Sequence, residues 1–160
     1  MSFAIVLALI AVVVTVLFLV LARRAQEVRV SASQIPAVVS QLKAFGKDSS
    51  FVVFVFMPEG KVAPEDEEGV NLQYSIENGR IGLDWVLLAP QNIADKEKIA
   101  AYIADRGFAA NMREMNKVSY LRVENGDVAD LGARIATEFY HLDPADQVDL
   151  IVDGFDLKPV

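Results

Sequence analysis

The sequence predicts an α+β domain, an antiparallel sheet of hairpins packed by helices, preceded by one transmembrane helix. Three observations carry this reading. Residues 3–22 are an uncharged apolar run. A cleanly alternating segment meets its return strand at Asn78-Gly79. Apolar residues also recur at helical spacing in three stretches, near 34–45, 93–106 and 128–139.

From Phe3 to Ala22 the chain carries no charge and one polar side chain, Thr15. At about 1.5 Å rise per residue such a helix is roughly 30 Å long, the thickness of a bilayer's hydrocarbon core. A cleaved signal peptide would instead show a basic start, a shorter apolar run and a small-residue cleavage site. Here only Met1 and Ser2 precede the run, and Arg23 and Arg24 follow Ala22. No cysteine is present, which removes lipoprotein processing. The segment therefore reads as an uncleaved anchor. Arg23, Arg24 and Arg29 lie on its C-terminal side, so the positive-inside rule puts the N-terminus outside and the domain in the cytoplasm. A periplasmic or extracellular domain is the alternative. The expected division is anchor 1–24, juxtamembrane linker 25–32 and soluble α+β domain 33–160.

Setting aside Arg23 and Arg24, 13 of the 15 basic side chains stand against all 22 acidic ones, a net charge of −9 for residues 25–160. Such a surface repels nucleic acid and the anionic inner leaflet, and leaves partners with basic or apolar surfaces.

The linker has no Gly or Pro and either continues the membrane helix or runs extended. Ser33 offers an N-cap and Pro36 suits a first turn. Ile35, Val38, Val39, Leu42 and Phe45 then give a helix over 34–45, stopped at Gly46. Residues 51–57, FVVFVFM, read as a strand covered on both faces or at least central in its sheet. An acidic loop holding Glu65, Asp66, Glu67 and Glu68 follows Pro58. Val70 to Glu77 alternates, with Leu72, Tyr74 and Ile76 on one face. Asn78-Gly79 is a strong hairpin signal, because both residues tolerate positive φ. The return strand, 80–89, places Ile81, Leu83, Trp85 and Leu87 on one face.

Asn92 is expected to cap a second helix over 93–106, which ends at Gly107. A shorter hairpin follows between Ala110 and Glu124, turning at Asn116-Lys117. Val128, Leu131, Ile135 and Phe139 mark a third helix, and 148–152 a short edge strand. The order is α-β-β-β-α-β-β-α-β.

Chemistry-bearing groups are sparse. With no cysteine, thiolate catalysis and thiolate metal sites are absent. His141 is the one histidine and stands at a helix end, where it serves the last carbonyls rather than a metal. The run Glu65 to Glu68 lacks the alternating ligands of a calcium loop and reads as solvated. Gly79 and Gly82 flank a hairpin, whereas a phosphate cradle needs a strand-to-helix turn. No catalytic, cofactor or metal residues are assigned, and the chain is read as a non-enzyme. Trp85 reads first as core, with an aromatic anchor in a partner-binding groove as the functional alternative. Tyr74 and Phe56 share that ambiguity, so Tyr74 and Trp85 are the candidate partner-binding residues.

The element order, together with Leu83-Asp84-Trp85-Val86-Leu87-Leu88-Ala89-Pro90 and the helix after Asn92, resembles the bacterial YbjN-like proteins of the type III secretion chaperone-like fold. The resemblance spans residues 33–142. It implies a binding module whose sheet packs helices on one side and presents apolar surface to a partner polypeptide, often as a homodimer. It brings no catalytic residues. Secretion chaperones of this kind are soluble, and the anchor here departs from them.

The expected function is thus a membrane-anchored, non-enzymatic protein-interaction domain, chaperone-like or regulatory. A small-ligand sensor or accessory subunit of a membrane complex is the alternative, and a pocket lined by Tyr74, Trp85 and Tyr102 would favour it. A hydrolase would need carboxylates such as Asp84 and Asp95 to converge in a cleft.

Overall fold

The computed structural model describes residues 28–60 and 68–160. The expected anchor, with Phe3, Ala22, Arg23 and Arg24, lies outside the described residues, as does most of the acidic loop. No helix among the described residues is long and apolar enough to cross a membrane.

Seven strands form one antiparallel sheet: β1 (Val28–Ser31), β2 (Phe51–Phe56), β3 (Val70–Glu77), β4 (Arg80–Val86), β5 (Ala110–Met115), β6 (Val118–Val123) and β7 (Gln147–Asp153). Their spatial order is β1-β7-β2-β3-β4-β6-β5, every neighbouring pair antiparallel. Among the described residues four α-helices accompany them: α1 (Ile35–Phe45), α2 (Pro90–Ala94), α3 (Lys96–Asp105) and α4 (Val128–Arg134). A π-helical turn, Ile135–Phe139, continues α4.

The helices lie on one face of the sheet. Val52, Phe54 and Phe56 of β2, Leu72 and Tyr74 of β3, and Leu83 and Trp85 of β4 all point there and are buried. Ile35, Val38, Val39 and Leu42 of α1, Ile99 and Ile103 of α3, and Leu131 of α4 meet them. Each such aliphatic or aromatic side chain contributes about 1.5–3 kcal/mol by leaving water. The period-2 and period-3.6 patterns that marked these segments are therefore one core seen from two sides.

Both hairpins turn where the sequence places them. Asn78 and Gly79 have φ of 52° and 72°, and Asn116 and Lys117 have 50° and 68°, the left-handed geometry of two-residue turns. Several expectations are corrected. Residues 28–31, read as linker, form β1 and pair with β7. β7 is consequently interior, between β1 and β2, and not an edge. β2 is central, but burial alternates along it: Phe51, Val53 and Val55 remain part-exposed on the face without helices. β4 ends at Val86, three residues early, and Leu88 is exposed.

The second helix is broken in two, and Asn92 lies inside α2 and does not cap the longer helix. The reason is a sheet defect. β3 and β4 are paired only from Gln73↔Asp84 onward. Beyond that point Asn92 substitutes for the missing strand: its Oδ1 accepts the Asn71 N–H at 3.0 Å and its Nδ2 donates to the Asn71 carbonyl at 2.7 Å. Buried backbone groups demand partners, and a side-chain amide can imitate a peptide.

Candidate binding face

Tyr74 and Trp85, the candidate partner-binding residues, are fully buried on the helix side. The Trp85 indole donates to the Asn92 carbonyl at 2.9 Å and stacks on Tyr140 at 6.2 Å between centroids. The Tyr74 hydroxyl donates to the Val128 carbonyl at 3.0 Å, and burial holds its phenol well above the ordinary range. Phe56 is buried beside Tyr140. All three serve the core and offer no exposed surface. Tyr102 sits on α3 with its hydroxyl on Glu138 at 2.9 Å, and none of Tyr74, Trp85 and Tyr102 lines the depression on the opposite face described below.

Asp95 also belongs to the helix side. It accepts from Tyr140 at 2.9 Å and Lys98 at 3.1 Å, and from Gln91. Burial works against its charge, but these donors outweigh it and hold the carboxyl below its ordinary value. Asp84 faces the other way. The two carboxylates a hydrolase would have used are thus separated by the sheet. His141 is exposed and ends the π turn in a left-handed conformation, φ 58°.

The face without helices has its own organisation. The sheet coils, bringing β5 and β6 side chains to the far end of β3: Tyr120 donates to Glu77 Oε1 at 3.0 Å and Arg113 to Glu77 Oε2 at 2.8 Å. Within the curve lies a depression of about 620 Å³. Its walls include Phe51, Val86, Met115 and Val118, and its polar floor includes Gln73, Ser75, Glu77 and Asp84.

Arg122 underlies that floor with a fully buried side chain. Its Nη1 donates to Asp84 Oδ1 at 2.7 Å and Ser75 Oγ at 2.8 Å, its Nε to Glu124 at 2.7 Å, and its Nη2 to the Arg80 carbonyl at 3.0 Å. Ser75 in turn donates to Asp84 Oδ2. Arg113 bridges Glu77 and Glu124, at 2.8 and 3.0 Å. Burial pushes the Asp84 carboxyl up to about 6, against the pull of Ser75 and Arg122. Burial likewise opposes the Arg122 charge, but Glu124, Asp84 and Glu77 keep its pKa above the ordinary value. Among the described residues every buried side-chain nitrogen and oxygen has a partner. No group of three or more metal-ligating side chains occurs among them either.

Sequence reasoning did not single out this network, although its signal was present. Alternation along β6 sets Tyr120, Arg122 and Glu124 opposite Leu121 and Val123, which makes one face of the strand charged. Gly82 is part of the same device. A Cβ there would stand 2.5 Å from Arg122 Cζ and 2.8 Å from Nε, so the bare backbone is what lets the guanidinium lie across β4. A Gly82→Ala chain is expected to lose roughly 2 kcal/mol of stability by displacing Arg122. Chemical denaturation measures this, and an unchanged midpoint would refute the role given to Gly82.

No protein-family model, curated protein or solved structure matches this chain.

Proposed function

We propose that this chain is a membrane-anchored, non-enzymatic binding module that holds a polypeptide partner on the concave face of its sheet. The observation that carries the reading is the one-sided fold. The described helices cover one face, while the other keeps Phe51, Val53, Val55 and Ile151 part-exposed and carries a depression that Phe51 lines. Apolar surface left uncovered by a domain's own elements is characteristic of interaction sites. The resemblance to YbjN-like proteins supports the same use of the sheet. The apolar run from Phe3 to Ala22 and the arginines after it support a single-pass anchor with the domain in the cytoplasm. A periplasmic or extracellular domain is the alternative.

The test places a photo-cross-linking residue at Val53, on the open face, and at Asp105, exposed on α3, in the full chain in cells. A polypeptide adduct at 53 that is missing at 105 is the expected result. Adducts of equal yield at both positions, or none at 53, would sink the reading. A small-ligand sensor is the second reading, favoured by the size of the depression, which lies within the range of small-molecule sites. It predicts a thermal shift with a metabolite and no adduct at 53.

A further inference from the structure

β5 is the outermost strand on its side of the sheet and pairs with β6 along its whole length, from Ala110↔Val123 to Met115↔Val118. The two-residue turn makes Met115 and Val118 the closing hydrogen-bonded pair. Alternation then aims the backbone N–H and C=O groups of Ala110, Met112 and Glu114 away from β6. Native sheets blunt such edges with short strands, charged side chains, Pro, bulges or a covering element, and on β5 the exposed charge is Glu114, near one end. The opposite edge, β1, has four residues, and its Ser31 N–H is taken by Gln34 at 2.8 Å. β5 has six residues, without Pro, Gly or bulge. Arg113, which could guard the edge, is turned back onto Glu77 and Glu124. Met112, at the strand's centre, is 50% exposed.

We propose that β5 pairs antiparallel with β5 of a second copy of this chain, about a two-fold axis through Met112. In that register Met112 faces its own counterpart, Ala110 faces Glu114 and Asn111 faces Arg113. Every outward N–H and C=O of both strands finds a partner, and no like charges are opposed. Sliding by two residues in total leaves outward groups unpaired, and in one direction it sets Arg113 against its counterpart. The occupant is therefore specified by self-complementarity, the mark of an isologous contact. Met112 neighbours Leu121 on the helix side, so the Met112 pair extends the core from one copy into the next. This contact uses the sheet edge and does not depend on what the concave face binds.

The chain has no cysteine, so single substitutions report distance cleanly. Hydrogen-bonded antiparallel partners stand about 5.5 Å apart between Cα atoms, within disulfide reach. Under mild oxidation the full-length Met112→Cys chain is expected to link into a disulfide dimer. Glu114→Cys, equally on the edge but four positions out of register with itself, should link about tenfold more slowly, because effective concentration falls with separation. Met112→Glu is expected to abolish self-association while leaving the fold intact by circular dichroism. Equal linking at 112 and 114 would show collision without register and overturn the proposal. A Met112→Cys chain that stays monomeric, or a Met112→Glu chain that still associates, would overturn it as well.

Discussion

Replacing Arg122 with Met is expected to cost the domain about 3–5 kcal/mol at pH 7, and distinctly less at pH 5. The size follows from what is left behind. Arg122 donates to Asp84, Ser75, Glu124 and the Arg80 carbonyl, and removing it strands a buried carboxylate among groups that still expect a cation. The pH dependence follows from Asp84. Its folded pKa, about 6, is above its ordinary 3.8. Its contribution to stability is therefore fully present below about 3.8 and is lost as pH rises through 6. Wild type should gain on the order of 1 kcal/mol between pH 7.5 and 5 from this group. Without Arg122 the carboxyl rises further, because two of the influences that lower it are gone, so acid relieves the variant more than wild type. Glu124, Asp95 and Glu138 have depressed pKa values and lose their contributions only at lower pH. Denaturant unfolding followed by the fluorescence of Trp85, the single tryptophan and fully buried, reads both effects. Asp84→Asn should flatten the profile between pH 7.5 and 5. Equal Arg122→Met deficits at the two pH values would mean that Asp84 does not carry the effect.

That network also marks where sequence reading stops. Local periodicity and turn chemistry were legible: the 70–77 strand, both hairpin turns and the apolar stripes of α1 and α4 needed no tertiary information. β1 was not, because the alternation of Val28 and Val30 with Arg29 and Ser31 lasts only four residues, too few to mark a strand, and pairing with β7 is what makes them one. The break between α2 and α3 was hidden for a related reason. Asn92 is a good capping residue, yet a gap in the β3–β4 ladder recruits it as a false strand, and that gap is a long-range fact. Alternation told which side of β4 Trp85 lies on. It did not tell that helices cover that side, which is why the proposed binding surface is the opposite face and not Trp85. The contact of Arg122 with Gly82 joins residues forty positions apart in sequence, and no local rule anticipates it.

Gly132→Ala is expected to destabilise the domain by roughly 3 kcal/mol, although the same change in an exposed helix stabilises by about 1 kcal/mol. The sign reverses because α4 is seated on Tyr74. A Cβ at 132 would overlap the Tyr74 hydroxyl and stand 2.8 Å from its Cζ and 3.2 Å from Leu72 Cδ2. Tyr74 cannot yield cheaply. Its ring packs edge-to-face on Phe54, 6.0 Å between centroids, and its hydroxyl donates to the Val128 carbonyl one turn before Gly132. Either α4 lifts from the sheet or that hydrogen bond breaks, because a close-packed core has little room to absorb such overlap. Tyr74→Phe alone should cost about 1 kcal/mol, the usual worth of a buried hydrogen bond. In the Gly132→Ala background it should instead recover stability, because it deletes the overlapping oxygen. The cycle is thus expected to be non-additive by more than about 1 kcal/mol, as contacting residues are. Additive losses in denaturant unfolding would mean that α4 does not rest on the hydroxyl. Non-additivity would establish Tyr74 as the pin of the helical layer. A residue spent on holding that layer shut has no surface to offer a partner, which is why the proposed recognition falls to the face that none of the described helices covers.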